Sequence, residues 1–170
     1  VVIYEHGRLK YTEVFASCLF VIYIVLSMSC VVFCRNDFGT GFMLLIFISS
    51  WMTDTGAYFV GSFMGKHKLI PDVSPKKTVE GAIGGIIVCM LSCFVYSMIL
   101  NSIDNNPLVN MQTATFVVVG MTASALSQLG DLVASSIKRD TGIKDFGDIF
   151  PGHGGFLDRF DSVMFVAPVV

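Results

Sequence analysis

Residues 135–161, SSIKRDTGIKDFGDIFPGHGGFLDRFD, hold four basic residues, five aspartates, one histidine and five glycines. Asp158 and Asp161 stand three apart at the start of an apolar run, a spacing that lets two helical carboxylates project the same way. Together with Asp131 upstream they can form an all-oxygen set. Hard oxygen ligands plus substrate phosphates are what Mg²⁺ takes. Lys138, Arg139, Lys144 and Arg159 supply positive charge for phosphate. Gly152, Gly154 and Gly155 let the backbone bend tightly beside His153 and approach a ligand closely. No second His or Cys accompanies His153 in this loop, which argues against zinc; a structural hydrogen bond and a phosphate contact both remain open for it. A serine-hydrolase reading fails for want of a G-x-S-x-G elbow.

A second polar segment, residues 65–85 (GKHKLIPDVSPKKTVEGAIGG), carries Lys76, Lys77 and Thr78 followed by Glu80 and Gly81. Ser74 or Thr78 can cap the helix that follows, whose first amides then point toward any bound phosphate. Lysines near that end supply charge for a triphosphate. The pattern is not a Walker P-loop, which requires G-x-x-x-x-G-K-[ST]. The plainer reading is a basic loop drawn to anionic lipid.

These loops lie between segments that must sit in a bilayer. Hydrophobic residues make up 54% of the 170, charged residues only 14%, where soluble domains carry about a quarter; mean hydropathy is +0.72. About 20 apolar residues cross a membrane, and residues 14–34, 41–63, 82–100 and 113–137 each meet that measure. Residues 160–170 read as half of a fifth span. If the N-terminal segment is cytoplasmic, ten of the eleven Lys and Arg fall in inside loops and only Arg35 outside, as the positive-inside rule requires. No signal-peptide pattern opens the chain, and both ends read as cuts in a longer polytopic chain.

Two carboxylates, Asp54 and Asp131, lie within spans, where charge is costly and usually faces a bundle interior or a water-filled cavity. Gly120, Ser124, Ser127, Asp131, Ser135 and Lys138 recur at steps of three or four and form one small, polar stripe. Leu126, Leu129, Val133 and Ile137 lie away from it. Ser50, Asp54, Ala57, Tyr58, Gly61 and Gly65 repeat the design, with Gly61 and Gly65 favouring close helix packing over ligand contact. The five cysteines sit in apolar runs without a nearby histidine and read as packing residues.

The order Ser135, Lys138, Arg139, Lys144, Asp145, Pro151, Gly152, His153, Gly154, Gly155, Asp158, Arg159, Asp161 resembles the C-terminal signature of the phosphatidate cytidylyltransferases, also called CDP-diacylglycerol synthases. Asp54-Thr-Gly-Ala-Tyr58, Ser74-Pro-Lys-Lys-Thr78-x-Glu80-Gly81 and Gln128-Leu-Gly-Asp131 resemble the same family, in the same order, so the likeness runs from Trp51 to the C-terminus. It implies a polytopic all-α enzyme, about five of whose helices lie in residues 1–170 as one catalytic domain. Further N-terminal helices and the end of the last helix would lie outside this sequence. The implied reaction transfers CMP from CTP to phosphatidic acid, giving CDP-diacylglycerol and pyrophosphate. Mg²⁺, a second cation such as K⁺ and a homodimer are implied with it; no nucleic-acid partner is expected. The setting would be a bacterial inner membrane, with the active site facing the cytoplasm.

Carried over residue by residue, Asp131 and Asp158 match the family's metal-binding aspartates, with Asp161 a neighbouring acidic member and Lys144 and Arg159 beside them. Ser74, Lys76, Lys77, Thr78, Glu80, Lys138, Arg139, His153, Gly154 and Gly155 are the expected substrate-binding residues. The rival readings are a CTP-dependent polyprenol or phytol kinase, a transporter built on the intramembrane aspartates, and a catalytically dead lipid-binding scaffold.

Overall fold

The structure, a computed structural model, describes residues 11–103, 113–143, 145–147, 155 and 157–170. Four long helices carry the apolar runs: α1 (Tyr11–Phe38), α2 (Thr40–Met64), α3 (Val79–Ile103) and α4 (Thr113–Asp140). At 1.5 Å per residue, 25 residues reach about 37 Å, more than the roughly 30 Å hydrocarbon core. All four are long and apolar enough to cross a membrane. The chain is a mostly helical, integral membrane protein.

Where the chain turns, specific residues interrupt the helices. Gly39, at φ +90°, separates α1 from α2, a backbone conformation that suits glycine. A short 3₁₀ turn (Leu157–Arg159) leads into α5 (Asp161–Val166). This helix is shorter than the half-span expected over 160–170. It ends just before Pro168, which has no amide to continue it, and Val169 N–H instead closes a turn on the Val166 carbonyl at 3.0 Å.

The basic loop between α2 and α3 contains a small antiparallel hairpin. Strand β1 (Lys68–Ile70) pairs with β2 (Ser74–Thr78), in register Lys68 with Thr78 and Ile70 with Ser74. Pro71 and Asp72 form its turn, as their fixed φ and local hydrogen bonding favour.

Small residues let the helices approach. On α3, Gly81, Gly84 and Gly85 face α2: a Cβ at Gly84 would lie 2.5 Å from Val60 Cβ, and one at Gly85 would lie 2.9 Å from the Thr53 carbonyl. Gly120 of α4 leaves the same kind of room for Cys93 of α3, and Gly130 for Phe165 of α5. The buried core is correspondingly lean in bulk, with Leu45, Ile46, Phe116, Val163 and Val166 its larger members. Polar side chains within it are served locally. Ser49 Oγ donates to the Leu45 carbonyl at 2.7 Å, and Thr53 Oγ1 sits 2.6 Å from the Ser49 carbonyl and 2.8 Å from Ser124 Oγ across the α2–α4 contact. Leu129, Val133 and Ile137 are exposed and Leu126 is half-buried, whereas Gly120, Ser124 and Ser127 are buried. The stripe read from α4 therefore faces the bundle. All five cysteines are free, and Cys34, Cys89 and Cys93 are buried, as packing residues are.

Candidate active site between the hairpin and the fourth helix

The C-terminal ends of α2 and α4 and the N-terminal ends of α3 and α5 meet at one end of the bundle. A cavity of about 580 Å³ opens there. Its walls are Asp54, Ala57, Tyr58, Gly61 and Gly65 from the end of α2, Lys68, Ser74, Lys76, Lys77 and Thr78 from the hairpin, Gly81 from α3, and Gln128, Asp131 and Ser135 from α4. Both polar stripes expected on α2 and α4 thus end in the same hollow. Gly61 and Gly65 serve packing and cavity together: a Cβ at Gly61 would lie 3.0 Å from Thr78 Oγ1.

The hairpin is fixed at its base and near its tip. The Glu80 carboxylate, in the first turn of α3, accepts hydrogen bonds from Lys66 N–H at 3.1 Å and His67 N–H at 3.1 Å, and meets His67 Nδ1 at 2.6 Å. Val79 N–H donates to the His67 carbonyl at 2.9 Å. At the other end, Arg139 Nε donates to the Val73 carbonyl at 3.3 Å. Glu80 and Arg139, expected as substrate contacts, are outside the cavity wall and hold the strand that carries Lys76 and Lys77. Of the two expected helix caps, Thr78 is the one that acts: its Oγ1 accepts Gly81 N–H at 3.1 Å. Ser74 instead begins β2.

Two aspartates meet lysines. Lys77 Nζ lies 2.6 Å from Asp131 Oδ2, with a quarter of the lysine side chain and a third of the aspartate side chain exposed. Lys138 Nζ lies 2.8 Å from Asp158 Oδ1, and both side chains are largely buried. The second Asp158 oxygen, Oδ2, accepts the Phe146 and Gly155 amides, each at 2.9 Å. Lys138 also stands 5.2 Å over the Phe146 ring. Burial pushes the Asp158 carboxyl upward, but the Lys138 hydrogen bond and the two amides outweigh it and hold the group below the ordinary carboxylate range.

Asp161 is buried, and its Oδ1 accepts Ser162 N–H at 2.7 Å. Asp54 lies within reach of the charges of Asp131 and Asp161, and Ser162 Oγ donates to Asp161 Oδ1 at 3.4 Å. Arg159 is exposed on the 3₁₀ turn. Among the described residues no three His, Cys, Asp or Glu side chains converge as a preformed metal cluster. Asp131, Asp158 and Asp161 do not share one ligand position here; Asp131 and Asp161 are linked electrostatically, and Asp158 is engaged by Lys138. Lys144, His153 and Gly154 lie outside the described residues.

Lys68 and Gln128 were not among the expected site residues, although Gln128 opens one of the motifs that carry the resemblance. Lys68 is a third lysine on the cavity wall, foreshadowed only by its place in a basic loop. Gln128 Nε2 donates to the Ala82 carbonyl at 3.1 Å and fixes α4 against α3 one turn before Asp131. A second, apolar cavity of about 380 Å³ lies on the other side of α4, among Leu19, Phe20, Val133, Ile137, Met164 and Phe165, with Asp161 at its edge.

The fold and site thus define a polytopic membrane protein with a lysine- and aspartate-lined cavity at one end of its helices. A family profile described as "Cytidylyltransferase family" matches residues 1–170, and the chain belongs to that family. Among curated proteins it is 47% identical over 132 residues to a phosphatidate cytidylyltransferase of Staphylococcus epidermidis, covering 78% of this chain and 48% of that protein. It is 48% identical over 132 residues to the enzyme of that name from Staphylococcus aureus, with the same coverage. Against that from Staphylococcus haemolyticus it is 46% identical over 136 residues, covering 80% of this chain and 49% of the relative. The chain spans about half the length of the curated relatives it matches.

Proposed function

We propose that the protein containing this chain transfers CMP from CTP to phosphatidic acid, releasing pyrophosphate and forming CDP-diacylglycerol. One observation carries the reading: three lysines and two aspartates line one cavity at the end of bilayer-length helices, in a member of the cytidylyltransferase family. A phosphatidate oxygen forms the new bond to the α-phosphorus of CTP, and the bond from that phosphorus to the pyrophosphate oxygen breaks. Such transfers ask mainly for positioning and charge stabilisation.

Lys68, Lys76 and Lys77 neutralise the polyphosphate, and the Glu80 and Arg139 clamps hold the hairpin that presents them. The first amides of α3, behind the Thr78 cap, add donors toward the same anion. The apolar cavity beside α4 suits acyl chains, which would place the lipid headgroup near Asp161.

The donor set fits Mg²⁺. Asp131 and Asp158 each already attract an ammonium, and Asp54, Asp131 and Asp161 place like charges toward one another with oxygen donors only. Asp131, Asp158 and Asp161, with Asp54 beside them, would hold the ion. When bound it would polarise the phosphate and offset developing charge. A second cation such as K⁺ and a homodimer belong to the same proposal on family resemblance alone. The ten-to-one split of basic residues supports a cytoplasm-facing site in a bacterial inner membrane.

The test is the fate of label. With the intact protein in detergent and phosphatidic acid present, α-³²P-CTP should label the lipid and γ-³²P-CTP should not. Lipid labelled from the γ-position would move the protein to a CTP-dependent kinase, and no labelling from either would refute the enzyme reading.

A further inference from the structure

The Lys77–Asp131 pair is unlike the Lys138–Asp158 pair in a way that bears on ligand binding. Lys77 Nζ is buried and 2.6 Å from Asp131 Oδ2, yet the approach lies outside hydrogen-bond geometry, and among the described residues no other acceptor serves that nitrogen. An ammonium offers three donors, and a buried donor without an acceptor is costly. The pair also stands in the wall of the polar cavity. Lys138, by contrast, hydrogen-bonds Asp158 at 2.8 Å, and the carboxylate is fixed further by two backbone amides. One pair is locked. The other is an ion pair whose Lys77 ammonium has no hydrogen-bond partner among the described residues, while Asp131 Oδ1 accepts a long bond from Ser135 Oγ at 3.4 Å.

We propose that Lys77 is the resident counter-ion of Asp131 in the nucleotide-free protein and is exchanged when nucleotide and divalent cation bind together. Asp131 passes to the cation while the Lys77 ammonium turns to the polyphosphate and gains the acceptors it lacks. A divalent cation arriving alone would have to displace the ammonium with no polyphosphate present to receive its donors. It therefore binds weakly without nucleotide, and by linkage each ligand strengthens the other. The ammonium thus guards the carboxylate against metal until a nucleotide is present. This inference rests on the cytidylyltransferase reading, and it adds an order of assembly to it.

Mn²⁺ binding to the intact protein in detergent, without nucleotide, tests it through the electron paramagnetic resonance signal of free Mn²⁺. Lys77→Gln should tighten binding about tenfold, within the usual range for linked sites. Lys77→Arg, which keeps the charge, should leave binding weak. Lys76→Gln, the same charge loss on an exposed neighbour, should change it less than about twofold, and adding Asp131→Asn to Lys77→Gln should abolish the gain. Equal effects from Lys76→Gln and Lys77→Gln would show general charge instead of exchange and overturn the proposal. So would unchanged binding in Lys77→Gln that elutes from gel filtration like the parent. If the parent labels lipid from α-³²P-CTP while Lys77→Gln gains no Mn²⁺ affinity, only the exchange falls; if the parent labels nothing, the underlying reading falls.

Discussion

Removing Lys138 or Asp158 separately should reveal how the polar loop after α4 is held, because the two losses are unequal. Lys138→Met leaves Asp158 with two amide hydrogen bonds, at 2.9 Å each, but without its Lys138 countercharge. Asp158→Ala strands a lysine whose side chain is 12% exposed and leaves the Phe146 and Gly155 amides without their acceptor. Breaking a buried ion pair by removing one partner costs about 3–5 kcal/mol, and each stranded amide adds about 1–3 kcal/mol. Lys138→Met should therefore cost about 3 kcal/mol and Asp158→Ala at least about 2 kcal/mol more. At roughly 2 °C per kcal/mol for a chain of this size, the melting temperature in detergent should fall by about 6 °C and at least about 10 °C respectively. The Lys138→Met/Asp158→Ala double variant should lose less than the sum, since neither leaves the other's charge stranded. The measurement belongs in EDTA, so that metal binding plays no part. Melting within 2 °C of the parent for both single variants, or strict additivity in the double, would refute this account of the loop.

Other outcomes follow from the same geometry. Glu80→Gln should loosen the hairpin base, so trypsin should cleave after Lys76 or Lys77 several-fold faster than in the parent; equal cleavage rates would show that the His67 and backbone contacts suffice without the carboxylate charge. Gly84→Val places side-chain atoms against Val60, where a Cβ alone would already lie 2.5 Å away; overpacking costs about 1–3 kcal/mol or more, to be read as a lower melting temperature, whereas an unchanged value would mean that α2 and α3 separate easily. The Asp158 carboxyl has a folded pKa depressed below its unfolded value, so its contribution is complete above about pH 3.9 and is lost as pH falls through the lower folded value. Protection of the Phe146 and Gly155 amides from hydrogen exchange, relative to their intrinsic rates, should hold at pH 5 and fall only below about pH 4. Loss of protection between pH 7 and pH 5 would contradict that sign.

Much of the architecture could be read from residue type alone. Apolar runs beyond 20 residues admit few structures other than spanning helices. Steps of three and four placed Ser124, Ser127, Asp131 and Ser135 on the face that turned out to be buried or cavity-lining. The β-hairpin was not legible, because Ser-Pro-Lys-Lys-Thr has no alternation and only Thr78 as a β-branched residue to announce a strand; its pairing comes from the Glu80 staple and the Arg139 contact, both long-range in sequence. The same limit applies to Glu80. Its place in the Ser-Pro-Lys-Lys-Thr-x-Glu-Gly motif led to the expectation of a substrate contact, and spacing did not show that in the first turn of α3 it would accept the Lys66 and His67 amides. Spacing also gave no means of telling that Lys77 would select Asp131 while Lys138 selected Asp158, since both lysines stand within a few residues of other carboxylates.

The measurement that bears most directly on the central claim is pyrophosphate release by the intact protein from CTP with phosphatidic acid, with and without Mg²⁺, beside Asp131→Asn and Asp158→Asn. The account predicts release that requires both lipid and Mg²⁺ and falls by at least about a hundredfold in Asp131→Asn, in keeping with loss of one electrostatic group from a preorganised site. Full activity in Asp131→Asn, or release of CDP in place of pyrophosphate, would contradict it.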